Sequence, residues 1–142
     1  MAVVSFADKY TTTPLVTERY SDFYLNLNRN YGTKDLARQT NEQAIISSLK
    51  NIIFTRKGER PFQPEFGCDV MNILFENFNH FTAETLQTEV RTAVENFEPR
   101  VQTIDVAVTQ DEDNHAFTMF LYFTTINNPE TISVSFLLTR IR

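Results

Sequence analysis

With 142 residues, 42% of them hydrophobic and 22% charged, the chain carries enough apolar mass for one core and enough charge to stay in water; folding at this length buries about 70% of the surface an unfolded chain exposes. Its formal net charge of -5 argues against a nucleic-acid binder, which needs a surplus of Lys and Arg on one face to neutralise phosphates. No apolar run reaches the roughly 20 residues of a membrane span, Met1-Ala2-Val3-Val4 lacks the pattern of a secretory signal, and a single cysteine forbids an internal disulfide, so a chain made and kept in its host's cytoplasm, with no membrane partner, is expected.

Residues 1–20 show no helical period, and Tyr10-Thr11-Thr12-Thr13-Pro14 resists one, so they read as an extended arm ahead of a single domain over 21–142. Phe23, Leu25 and Leu27 alternate with polar residues as in a half-buried strand, closed by Asn30-Tyr31-Gly32. Thr40 with Gln43 three residues on reads as a capping box. Behind it, Ile45, Leu49, Ile52 and Ile53 recur at helical spacing, which predicts an amphipathic helix from Asn41 to Phe54.

Lys57 to Phe75 crowds the chain's punctuation into one connection: two of the three glycines, two of the five prolines and the only cysteine. Pro61 and Pro64 fix φ and bias Arg60 and Gln63 toward extended backbone, while Gly58 and Gly67 permit φ > 0, so a specified loop is expected, with Phe62 and Phe66 as side chains it can bury. The neighbouring cations Arg56, Lys57 and Arg60 suit either local salt bridges in a solvated loop or a docking patch for an acidic protein. Cys68, between Phe66 and Val70, reads as a small buried apolar side chain rather than a nucleophile.

Asp69 can cap a short helix that turns Val70, Ile73 and Leu74 inward, with Phe75 and Phe78 widening its apolar surface. Thr82 opens a longer helix, with Leu86, Val90, Ala93, Val94 and Phe97 on one face and Pro99 as its stop. The period then falls to two. Ile104, Val106 and Val108 mark a strand; the acidic run Asp111 to Asn114 turns the chain; Ala116 to Ile126, apolar on both faces, reads as a central strand; and after Asn127-Asn128-Pro129, Ile132 to Leu138 gives the last. Helices first and a three-strand meander last indicate an α+β fold, with helices packed on a small antiparallel sheet.

Two motifs point to a family. Gly58-Glu59-Arg60-Pro61, opening into Pro64-Glu65-Phe66-Gly67, and the triplet Glu98-Pro99-Arg100 at a helix end resemble the baseplate wedge proteins of contractile phage tails, whose relatives include the E subunit of type VI secretion baseplates. The resemblance spans roughly Gln39 to Arg142. It implies a structural subunit of the virion baseplate, assembled in the host cytoplasm, that packs with larger wedge proteins near the hub and seeds the first ring of sheath; hub or tube proteins are further candidate partners. It also points to both motifs as partner-binding residues.

The inventory for catalysis is poor. His80 and His115 stand in no metal-ligand spacing and read as surface or capping residues; no phosphate loop or nucleophile elbow is present, and no metal or cofactor is expected. Glu59, Glu65, Asp69 and Glu76 lie close in sequence, and paired carboxylates can hydrolyse glycosidic bonds, so a peptidoglycan hydrolase is the alternative, the more so because the family has been labelled lysozyme-like. A non-enzymatic role is the expectation. Glu98 would sit in a helix's last turn, where the macrodipole disfavours an anion, and a cation from Arg100 or a partner would offset that. With both side chains at the surface, Arg100→Ala would cost about 1 kcal/mol or less. Finally, Thr131 to Thr139 has no charge, glycine or proline. At a sheet edge it would invite strand addition through Ser133 and Ser135; alternatively it is covered by the strand at Phe23 to Leu27, and the free edge is Val101 to Thr109.

Overall fold

A computed structural model describes residues 19–24, 26–76, 79–111 and 116–139. Most of the expected arm lies outside them, as do Leu25, Phe78, His115, residues 112–114, Arg140 and Arg142. Two compact units result, one ending at Ala44 and the other beginning at Ile45.

In the first unit, β1 (Ser21–Phe23) pairs antiparallel with β2 (Arg38–Thr40). A bridge between Arg29 and Leu36 continues the ribbon toward a turn in which Asn30 Oδ1 accepts the Gly32 N–H at 3.0 Å. The half-buried strand expected at Phe23 to Leu27 is not what forms. β1 stops at Phe23, its three residues are exposed, and Leu27 takes φ 49° with 64% of its surface in water. The capping box fails too, because Thr40 belongs to β2 and Asn41 follows it at φ 50° before helix α1 (Glu42–Phe54) begins. Asn tolerates that left-handed step. Asn41 Oδ1 accepts the Arg19 N–H at 2.9 Å, and Gln43 Oε1 accepts the Tyr24 hydroxyl at 3.2 Å instead of reaching back to Thr40.

The second unit carries the core. Ile45, Leu49, Ile52 and Ile53 of α1 are each at most 1% exposed, as their spacing predicts. A short α2 (Val70–Ile73) buries Val70 and Ile73, with Leu74 buried just beyond; Asp69 precedes it, but its Oδ1 accepts the Asn72 side-chain N–H at 2.6 Å and its side chain caps no backbone N–H. Phe75 does not widen that surface, being 56% exposed. Helix α3 (His80–Phe97) starts two residues before Thr82, with Asn79 as its N-cap accepting the Thr82 N–H at 2.9 Å. Leu86, Val90, Ala93 and Val94 are buried, and the helix stops ahead of Pro99.

The sheet runs β3 (Val101–Asp111), β4 (Ala116–Thr125), β5 (Asn128–Thr139), antiparallel and in that order. β4 is central, as expected. Its Phe117, Met119, Leu121 and Phe123 are nearly fully buried, whereas Tyr122 on the opposite face is 39% exposed, so the strand is apolar on both faces but covered on one. Register sets Asp105, Tyr122 and Ser133 in one row of that open face, and Ala107, Phe120 and Ser135 in the next. The β4–β5 turn is tighter than the sequence suggests: Thr125 pairs with Asn128 across Ile126-Asn127, so Pro129 and Glu130 lie inside β5 near its start. That is where an edge strand tolerates proline.

Candidate functional site

The loop from Thr55 to Cys68 is held shut at both ends. Gly58 donates its N–H to the Pro64 carbonyl at 2.7 Å, and Cys68 donates to the Thr55 carbonyl at 2.8 Å. Both glycines take positive φ, Gly58 at 86° and Gly67 at 111°. Their reasons differ, for a Cβ on Gly58 would meet nothing within 4 Å while one on Gly67 would lie 2.3 Å from the Thr55 carbonyl oxygen. Glu59 braces the turn by accepting the Arg56 N–H through Oε2 at 3.1 Å.

Inside this frame the two phenylalanines part company. Phe66 meets Phe97 with ring centroids 5.0 Å apart and planes tilted by 54°, which fastens the loop to the end of α3, and the Arg60 guanidinium lies 3.8 Å over the loop's own Phe66 ring as a cation–π contact. Phe62, expected to be buried, is instead 96% exposed. The flanking prolines and the Gly58–Pro64 closure turn the tip outward, so only one ring can reach α3. Two of the three basic residues make local contacts: Lys57 pairs with Glu89 at 2.8 Å, a bond that raises its pKa above the ordinary lysine value, and Arg60 sits on Phe66. Between loop and helix runs a groove of about 670 Å³ bordered by Lys57, Glu65, Thr92 and Asn96, and Phe62 forms part of the wall of its neighbour.

Phe97 is followed directly by the triplet, so the two sequence motifs meet at one end of α3. Glu98 is 2% exposed and not at the surface, against the expectation. Arg100 grips it with two nearly parallel bonds, Nε to Oε1 at 2.5 Å and Nη2 to Oε2 at 2.7 Å. Burial alone would push the Glu98 carboxyl up; hydrogen bonds from Arg100 and from the Ser48 hydroxyl outweigh it and hold the group below its usual range. The cation that the helix end calls for is thus Arg100 itself. Arg100 also accepts the Ile126 N–H through its carbonyl at 3.2 Å, which ties the triplet to the β4–β5 turn. Ser48 was not legible as a partner, although a hydroxyl beside Ile45, Leu49 and Ile52 on an otherwise apolar helix face was the available signal.

Ser133 and Ser135 belong elsewhere. Both are exposed on the open face of β5, which like β3 is an end strand of its sheet in the described residues, whereas β1 is hydrogen-bonded to β2. Of the four carboxylates, Glu59 serves its own loop, Asp69 accepts from Asn72, and Glu65 borders the groove. Cys68 is buried and its thiol is pushed up to about 11, chiefly by desolvation, which leaves it inert as a nucleophile. His80 is an exposed first-turn residue 3.2 Å from Glu84. Among the described residues no group of three acidic, His or Cys side chains could hold a metal, and no helix is long and apolar enough to cross a membrane.

Residues 39–124 match the family model of the baseplate wedge protein gp25. The baseplate wedge protein gp25 of Enterobacteria phage T4 is 38% identical over 117 residues, covering 82% of this chain and 88% of that protein. Among solved structures, a chain of the anti-feeding prophage baseplate superposes with a TM-score of 0.58 at 16% identity, covering 86% of this chain and 87% of that one. A chain of the type VI secretion baseplate complex gives 0.56 at 16% identity over 69% of this chain and 93% of that one. A chain from Geobacter sulfurreducens carrying a tail-lysozyme designation gives 0.65 at 22% identity over 72% and 95%. At these identities the structural likeness speaks to fold alone.

Proposed function

The chain belongs to the gp25 family of baseplate wedge proteins, and from that premise we propose that it is a structural subunit, not a hydrolase, which joins larger wedge proteins near the tail hub and seeds the first ring of sheath. The observation that carries the sheath-seeding part is β5. It lies at a sheet edge, Ser133, Ser135 and Leu137 are exposed, and among the described residues its guards, Pro129 and Glu130, stand at its start. A strand added there would gain main-chain hydrogen bonds, and its alternate side chains would select the partner. In this reading the loop at Gly58-Glu59-Arg60-Pro61 and the exposed Pro99 form contacts to wedge, hub or tube proteins, while Glu98 and Arg100 act from inside by fixing the end of α3. Assembly takes place in the host cytoplasm and ends in the baseplate.

Adjacent N–H groups of an antiparallel strand point to opposite sides, so a proline at Ser135 and one at Val134 separate the ladder from the free edge. The variant that keeps its circular dichroism is expected to fail to nucleate sheath on purified baseplates. A folded variant that still grows full-length sheath would exclude strand addition here.

Hydrolysis has its own test. Purified protein should release no reducing sugar from peptidoglycan, since Glu59 is engaged by its own loop and the carboxylate that lines the groove with Glu65, that of Glu89, is tied to Lys57 at 2.8 Å. Turnover that disappears in Glu59→Gln or Glu65→Gln with folding intact would restore the enzyme reading.

A further inference from the structure

The outer side of α3 carries a pattern that neither motif accounts for. Thr85, Thr88 and Thr92 donate their hydroxyls one turn back, to the carbonyls of Phe81, Glu84 and Thr88, at 2.8, 3.0 and 2.8 Å. Each of these residues is exposed, yet its one side-chain donor is engaged inside its own helix. What is left for a neighbour to cover is mostly methyl, so burying the stripe would orphan no hydroxyl proton. Phe81, 75% exposed, opens the stripe one turn before Thr85. At the other end Thr92 and Asn96 border the groove, whose continuation is walled by Phe62.

The stripe is therefore straight, small in profile and capped by an aromatic at each end. From Phe81 to Asn96 it measures about 22 Å at 1.5 Å per residue, and ridges at three- and four-residue spacing are what the groove of a second helix accepts. Charge narrows the occupant. Glu84 and Glu95 flank the stripe and Glu65 faces it from the loop, while the cations at its margins are already paired, Lys57 with Glu89 at 2.8 Å and Arg91 with Asp105 at 3.1 Å, so the charge left over is negative.

We propose that this strip seats one helix of a neighbouring baseplate protein, small and apolar along its contact ridge and flanked by Lys or Arg, with Phe62 closing on its end. The inference rests on the wedge-joining reading and specifies the kind of segment that is joined.

The test uses the full chain carrying a photo-crosslinking amino acid at Thr88, in complexes reconstituted with the wedge proteins of the same tail. Cross-links should fall on one segment at intervals of three or four residues, with basic residues beside them. Thr88→Arg, bulky and of the partner's charge, should weaken association at least tenfold while leaving the helix intact, since arginine is a better helix former than threonine. Glu95→Lys should weaken it less, and more at low salt than at high. Cross-links to a loop or strand, or Thr88→Arg complexes of undiminished affinity, would overturn the proposal. Failure of the unmodified chain to associate with wedge proteins at all would sink the wedge-joining reading and this inference with it.

Discussion

Arg100→Ala is expected to cost about 3 kcal/mol of unfolding free energy, because it leaves the Glu98 carboxylate buried without its counter-charge. Glu98 is 2% exposed, and both its oxygens are held by the one guanidinium, at 2.5 and 2.7 Å, so no water can readily replace the lost partner. The Arg100 side chain is itself 30% exposed, which places the cost toward the lower end of the range for broken buried pairs. Removing both charges together, as in Glu98→Gln with Arg100→Met, should recover part of the loss, since an apolar or neutral replacement spares the desolvation of two ions.

The pH dependence follows from the depressed Glu98 carboxyl. Its stabilisation is fully present above the unfolded carboxyl value, about 4.3, and is lost as pH falls through the lower folded value. In Arg100→Ala the burial remains and the cation is gone, so the carboxyl moves up and protonation relieves the variant. The gap between wild type and variant in urea unfolding should narrow on acidification. A loss within 0.5 kcal/mol at neutral pH, or a gap that stays constant with pH, would mean that the pair is not buried in solution.

Gly67→Ala should be nearly as damaging, on the order of 3 kcal/mol, from two sources that add. An alanine at φ 111° is strained wherever it stands, and its Cβ would press to 2.3 Å from the Thr55 carbonyl oxygen, which is backbone and already bonded to the Cys68 N–H at 2.8 Å. Gly58→Ala is the internal control, since φ 86° is unfavourable but the space is open. It should cost about 1 kcal/mol. Equal effects of the two substitutions in thermal unfolding would contradict the tight closure at Thr55. Because that closure aims the loop, Gly67→Ala should also impair assembly in any variant that still folds.

The parts of this fold that were legible in the sequence are those whose signal is local and periodic. The stripe Ile45, Leu49, Ile52, Ile53 and the stripe Leu86, Val90, Ala93, Val94 each describe one helix face, and Pro99 stops a helix wherever it stands, so the helices and their buried sides followed directly. The same holds for β4, whose apolar length identified a central strand, and for Arg100, whose charge suits a helix C-terminus.

Tertiary structure decided what depends on where two distant segments meet. Thr40 has the letters of an N-cap, but the pairing of β1 with β2 claims it as strand and leaves Asn41 to turn the corner. Phe62 and Phe66 are chemically identical and four residues apart; only the closure of the loop on Phe97 makes one an anchor and the other an exposed tip. Glu98 looked like a surface anion because acidic side chains usually are. Its burial required Arg100 to fold back and Ser48 of α1 to arrive from 50 residues away in sequence, and no periodicity within either segment carries that information.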